Sequence, residues 1–241
     1  MKYQKNKSIK IKCLAAVIVI ILTAGIFFVN HKIAFSVPPL TQSRIDELDL
    51  KDTSKLMIVA HPDDETIWGG SHLLDGGYLV VCITNGNNSK RAAEFKESVT
   101  ASGNTPLILD YPDKVNFRRA DWTDISADIE ADISLIMSAK HWDMAVTHNP
   151  RGEYGHIHHK FTNSLTVQAF NKTKCADRLY FFGDYYKASD IDAASEKLTP
   201  IPQSKLEKKK KLCDIYRSQK RVMEHLSHMF PYENWKEYEQ Q

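Results

Sequence analysis

The hydrophobic pattern opens with an uncharged run of about 17 residues, CLAAVIVIILTAGIFFV at 13–29, near the lower limit for a helix crossing the hydrocarbon core of a bilayer. It lacks the polar face that a helix packed on a globular core normally keeps. After Pro38-Pro39 the pattern changes to five short apolar runs: LMIVA (56–60), YLVVCIT (78–84), PLILD (106–110), DMAVTH (143–148) and RLYFF (178–182). These are nearly continuous rather than alternating, as strands of a parallel sheet are when helices cover both faces. Helical patterning fills 90–102, 123–140 and 159–171. The repeated strand, helix, strand order predicts an α/β sandwich with a mainly parallel sheet. Residues 192–202 are expected to form a loop. From Ser204 the pattern is helical again, with Leu206, Leu212, Ile215 and Val222 as core contacts. The chain therefore divides into a basic tail (1–12), a transmembrane segment (13–29), a linker with room for one helical turn (30–54) and one domain (55–241).

Composition adds little to this for the domain and more for the tail. With 42% hydrophobic and 26% charged residues among 241, the chain has an ordinary globular make-up. Net charge is +2, and much of the basic excess lies in the tail and in the run Lys208 to Lys211, so no phosphate-binding face and no nucleic-acid partner is implied. Four lysines in a helix read as a solvated face. Lys2, Lys5, Lys7, Lys10 and Lys12 precede the apolar run and only Lys32 follows closely. The positive-inside bias then puts the N-terminus in the cytoplasm and the domain across the membrane. Cleavage near Ala34-Phe35-Ser36 would instead give a secreted protein. Cys13, Cys82, Cys175 and Cys213 form no CxxC spacing, so neither a disulfide framework nor a thiolate metal site is expected.

The chemistry gathers after two of the strands. His61-Pro62-Asp63-Asp64-Glu65 follows the first, and His148-Asn149-Pro150-Arg151-Gly152-Glu153-Tyr154-Gly155-His156-Ile157-His158-His159 ends and follows the fourth. Loops leaving the carboxyl ends of parallel strands form the ligand crevice, so the two segments should meet. Imidazole and carboxylate are the ligands a catalytic zinc commonly uses. His61 and Asp64 are three residues apart, as are His156 and His159, a spacing that turns two side chains toward one point. Asp63 is then left to take a proton from the attacking water. Taken singly, each cluster also has an ordinary reading as surface histidines or helix-capping aspartates. His225 and His228, also three apart, have no carboxylate partner and read as surface residues.

AHPDDE after one strand and HNPRGEYGHIHH after another resemble the PIG-L or LmbE-like family of zinc-dependent de-N-acetylases. Thr84-Asn85-Gly86 with Arg91 and Glu94, and Tyr216-Arg217-Ser218-Gln219 near the C-terminus, resemble further elements of that family, so the likeness runs from about residue 55 to about residue 219. It implies a Rossmann-like three-layer fold and an N-deacetylase acting on N-acetylglucosamine or a related acetamido sugar in a glycan, glycolipid or cell-wall component. It further implies one zinc ion on His61, Asp64 and His159, with Asp63 as general base and His156 as an imidazolium beside the oxyanion. Similar sites also accept Fe(II) or Co(II). Arg91 is placed near the crevice as a substrate-binding residue, while Arg151 and Glu153 either line the sugar pocket or shape the loop. Hydrolysis of a different N-acyl compound, and a silent zinc-containing glycan-binding module, are the competing functions. One departure stands out: His158 occupies the position where the family often has aspartate, which implies a lower alkaline limb in the pH-rate profile.

Overall fold

A computed structural model describes the backbone of residues 2–239 and the side chains of residues 16–239, residue 31 excepted. The five leading lysines and Cys13 therefore lie outside the described side chains. The chain separates into two compact units, one of residues 1–37 with 112–120, the other of residues 38–111 with 121–241.

The first unit holds helix α1 (Lys2–Phe35) and a two-stranded antiparallel hairpin, β4 (Lys114–Val115) with β5 (Arg118–Arg119). The apolar part of α1, Ala16–Phe35, is long enough to cross a membrane. The helix does not stop at Val29, because nothing in Asn30 to Phe35 breaks it: proline first appears at Pro38.

The second unit carries α2 (Gln42–Asp46), β1 (Lys55–Val59), α3 (Asp64–Leu73), β2 (Tyr78–Thr84), α4 (Ser89–Ala101) and β3 (Thr105–Tyr111). It continues through α5 (Ser126–Met137), β6 (Met144–Thr147), α6 (Ile157–Thr173), β7 (Leu179–Phe181), α7 (Gln203–Cys213), α8 (Lys220–Leu226) and β8 (Lys236–Glu237). The sheet order is β3-β2-β1-β6-β7-β8, parallel throughout except for the antiparallel edge strand β8. All seven residues of β2 are buried, as a strand sandwiched between helices requires. Met57, Val59, Val80, Cys82 and Ile108 on one face share a core with Ile67, Trp68 and Leu73 of α3, Phe95 and Val99 of α4 and Leu206 of α7. Helices α5 and α6 pack on each other, and α6 lies against β1, β6 and β7. The fold is the expected three-layer α/β sandwich.

Several details depart from the sequence reading. Residues assigned to a linker belong to the packed unit: Leu40 and Ile45 are buried, and the Leu40 N–H donates to Asp132 Oδ1 at 3.0 Å. Helix α3 was not expected, nor were the 114–119 hairpin and β8. The loop at 192–202 contains a short 3-10 turn, Ser195–Lys197. Leu206 and Leu212 are buried as expected, whereas Ile215 and Val222 are only partly so. Lys208, Lys210 and Lys211 are solvated, but Lys209 is fully buried, with its ammonium 2.6 Å from Glu233 Oε1. Cys82, Cys175 and Cys213 are free thiols.

Candidate metal centre

Strands β1 and β6 are neighbours, paired from Lys55↔Met144 to Ile58↔Thr147, while the chain continues outward from β1 to β2 and β3 on one side and from β6 to β7 on the other. That is the switch point at which the carboxyl ends of parallel strands open a crevice. His61 leaves β1 there and His148 leaves β6.

The first loop is short and tightly tied. Asp64 begins α3, and its Oδ2 accepts the His61 N–H at 2.9 Å, while the carbonyl of Asp63 accepts from Thr66 and Ile67. The turn holds Asp63 at φ 121°, a conformation that strains a non-glycine residue. The second loop is folded on its own side chains. Asn149 Oδ1 accepts the N–H groups of Arg151 and Glu153 at 2.9 and 3.1 Å, and Glu153 Oε1 accepts from Asn149 N–H at 2.9 Å. Gly152 sits at φ +67°, where an added Cβ would come within 2.5 Å of the His156 carbonyl oxygen, so this bend needs glycine. The loop ends with His156, whose Nδ1 accepts the His158 N–H at 3.2 Å and caps α6.

These two loops bring His61, Asp64 and His159 together. Asp64 Oδ2 lies 3.1 Å from His61 Nδ1 and 3.3 Å from His159 Nε2, and the two nitrogens are 3.3 Å apart. Three donors bound at about 2.0–2.1 Å to one tetrahedral zinc are separated by about 3.3 Å, so the triangle fits such an ion with one face left open. The tautomers agree. His159 Nδ1 is 2.5 Å from Glu153 Oε2, which fixes a proton on that nitrogen and turns the Nε2 lone pair inward. A proton on His61 Nε2, shared with His158 Nδ1 at 3.1 Å, would leave Nδ1 as the inward donor.

Among the described residues, two other groupings have atoms close enough to hold a cation: His61 with His156 and His158, and His148 with Glu153 and His159. Both are better explained as support. His148 Nδ1 donates to Glu153 Oε2 at 3.0 Å, and its Nε2 accepts the Ala60 N–H at 3.0 Å. His158 stacks on Trp122 with centroids 4.1 Å apart, and its Nδ1 is engaged by His61.

Electrostatics follows from burial among these partners. Burial would raise the Asp64 carboxyl, but the His159 and His148 imidazoles hold it well below the usual range. Burial likewise opposes ionisation of Glu153, yet His148 and His159 bring it down to about 2. Burial disfavours charge on His159, while Asp64 and Glu153 on either side push it up to about 10. Asp63 behaves oppositely to its neighbour: burial carries its carboxyl well above the ordinary range despite the opposing pull of Arg91.

Arg91 contacts the loop that carries Asp63, donating to Pro62 O at 2.6 Å and to Asp63 Oδ2 at 3.3 Å. The His156 ring stands 4.6 Å from His61 and 4.4 Å from His159 between centroids. Its Nδ1 accepts a backbone N–H, which leaves Nε2 as the nitrogen able to donate. His158 Nδ1 reaches His61 Nε2 at 3.1 Å, so this histidine touches one corner of the triangle.

Of the two loop residues with open roles, Glu153 is buried support and Arg151 is an exposed partner of Asp184. His225 is exposed, as expected; with Tyr154, Tyr185, Arg221, Val222 and Leu226 it lines a cavity of about 350 Å³, and the Tyr154 ring is 5.6 Å from that of His159. His228 Nε2 lies 3.0 Å from the Tyr186 carbonyl.

Sequence reasoning gave no role to His148, Trp122, Glu65 or Tyr216. Tyr216 donates to Glu65 Oε1, and Ser218 N–H donates to Glu94 Oε1 at 2.8 Å, so the C-terminal Tyr-Arg-Ser-Gln stretch braces α3 and α4. Burial raises Glu65 to about 7. Its Oε2 accepts the Asp63 N–H at 3.1 Å, connecting this brace to the strained residue.

Comparison with known proteins gives two findings. The family model PIG-L, described as GlcNAc-PI de-N-acetylase, matches residues 56–170, which span both loops. An uncharacterized protein of Acanthamoeba polyphaga mimivirus is 31% identical over 186 residues, 70% of this chain and 73% of the relative.

Proposed function

Since the chain belongs to the PIG-L family, we propose that it is a zinc-dependent hydrolase that removes the acetyl group from an N-acetylglucosamine-type sugar. His61, Asp64 and His159 hold one ion per chain. The observation that carries this reading is their triangle of donor atoms, with edges of 3.1 to 3.3 Å, and the Asp63 carboxyl next to Asp64 in the same loop. A bound divalent ion supplies Lewis-acid polarisation of the acetamide carbonyl and makes the attacking water more acidic.

The protein's own groups do the rest. Asp63 accepts the proton of the water as its oxygen bonds to the carbonyl carbon. Burial raises its pKa above the ordinary carboxylate range, and a stronger base gains driving force for taking that proton. His156 donates a hydrogen bond from Nε2–H to the carbonyl oxygen as negative charge develops there, keeping its proton. Asp63 then returns its proton to the departing nitrogen, the C–N bond breaks, and acetate and a free amine leave. Arg91 is a positioning residue, holding Pro62 and Asp63 in a conformation their backbone would not choose alone. Tyr154 and Tyr185 offer aromatic faces to the sugar in the adjoining cavity. Helix α1 anchors the enzyme, and the substrate is an extracytoplasmic glycan, glycolipid or cell-wall component.

The test is acetate release from a panel of N-acetylated sugars by the full chain, chelated and then resupplied with zinc, alongside Asp63→Ala. Activity is expected to require metal and to fall by about 10²–10⁴ in the variant while metal remains bound. Stoichiometric metal without turnover of any sugar would favour a silent glycan-binding module, and turnover of other N-acyl compounds alone would move the substrate class.

A further inference from the structure

The 114–119 hairpin is built in a way its own packing does not explain. Lys114 pairs with Arg119 and Val115 with Arg118, leaving Asn116-Phe117 as a two-residue turn with φ of 51° and 65°. A turn with both central residues at positive φ favours Asn followed by Gly. Asn116 suits the first position, but a bulky aromatic at the second is strained. The Phe117 ring is also fully exposed, at 103% of its reference area. The chain thus bears a backbone cost to place at a tip the most exposed large apolar side chain among the described residues. Strain of this kind is retained where a surrounding structure or a function compensates it.

The neighbours indicate what compensates it. The hairpin belongs to the same compact unit as α1, and β4 packs against that helix. The apolar side chains of α1 from Val17 to Ile33 are exposed, as those of a lipid-facing helix are. Lys114, Arg118 and Arg119 are exposed around the tip, and Lys32 lies in the last turn of α1. An aromatic ring flanked by cations is the composition that settles at a membrane interface, with the ring among acyl chains and the cations on phosphates.

We propose that the β4–β5 hairpin is a membrane-contacting foot: Phe117 enters the lipid interface beside the point where α1 leaves the bilayer, and Lys114, Arg118 and Arg119 bind phosphate headgroups. The foot fixes how the unit containing it stands on the leaflet. Charge complementarity and continuity with the span of α1 select lipid over a protein partner.

The proposal rests on α1 crossing the bilayer, and the experiment separates that premise from the foot itself. The full chain with Cys13→Ser and Cys175→Ser is spin-labelled singly at Phe117→Cys, Leu22→Cys or Glu207→Cys and reconstituted in vesicles of zwitterionic and anionic phospholipid. Accessibility to oxygen and to a water-soluble nickel complex is then compared. The Leu22 label is expected to read as lipid, the Glu207 label as water and the Phe117 label as interface, with an oxygen-to-nickel ratio severalfold above that at Glu207. Adding Arg118→Glu and Arg119→Glu is expected to return the Phe117 label to the water value. A Phe117 label matching Glu207 while Leu22 reads lipid overturns the foot; a Leu22 label in water overturns the premise and the foot together.

Discussion

At the scale of single residues, the geometry of the triangle depends on what holds the outer nitrogen of each imidazole. His159 is the clearest case, between Asp64 Oδ2 at 3.3 Å and Glu153 Oε2 at 2.5 Å. Two carboxylates push its pKa up to about 10, so near neutral pH it holds a proton that an entering cation must displace. The zinc association constant should therefore rise about tenfold per pH unit between pH 6.5 and 8, beyond any protons taken by the buffer. Glu153→Gln removes one stabilising carboxylate and the orienting acceptor, and should weaken zinc by about 10–100-fold. Competition titration against a chelator at three pH values checks both; unchanged affinity in the variant would remove Glu153 from the account. The triangle itself was legible, since His61, Asp64 and His159 stand in two short motifs at strand ends. Its support was not, because the roles of His148, His158 and Trp122 depend on which nitrogen faces which neighbour, and spacing carries no such information.

At the scale of elements, the least legible piece was α3. Its sequence DETIWGGSHL has two central glycines, which lower helix propensity, and nearly every residue is buried, so no polar face marks the period. The glycines answer to packing: a Cβ on Gly70 would lie 2.9 Å from Lys209 Cγ, across the contact between α3 and α7. Lys209 was misread for the same reason. Its neighbours in the run are solvated, but α7 turns this one toward α3 and Glu233. Glu233 accepts the N–H of Ser71 and His72 as well as the Lys209 ammonium, which ties the C-terminal segment to α3. Lys209→Met alone strands a buried carboxylate and should cost about 3–5 kcal/mol, whereas Lys209→Met with Glu233→Gln should recover much of the loss. Burial would raise the Glu233 carboxyl, but Lys209 and His72 bring it down from 4.5 to about 2. A depressed folded pKa contributes stability that is present above 4.5 and lost as pH falls toward 2. Thermal unfolding of the solubilised chain from pH 5 to pH 2 should accordingly show a shallower decline in the double variant. An identical slope would place the acid sensitivity elsewhere.

At the scale of the whole molecule, parallel strands buried on both faces leave a continuous apolar signature, so β1, β2, β3, β6 and β7 and the crevice between β1 and β6 were legible. The hairpin was not, because two paired residues per strand carry no period and the Asn116-Phe117 turn lacks the expected glycine. Topology is the property at this scale that sequence still argues best. Five lysines precede the apolar run and Lys32 alone closely follows it, a bias that predicts a cytoplasmic lysine-rich end. A periplasmic-type phosphatase fused after residue 241 should then be active and a fluorescent protein fused there dark. Replacing Lys2, Lys5, Lys7, Lys10 and Lys12 with glutamine should reduce that difference by removing the retained charge. The reverse pattern in the unaltered chain would leave the His61, Asp64 and His159 chemistry untouched. It would move the substrate from surface glycans to acetamido sugars reachable from the cytoplasmic leaflet, because an anchored site acts only on the side where its crevice opens.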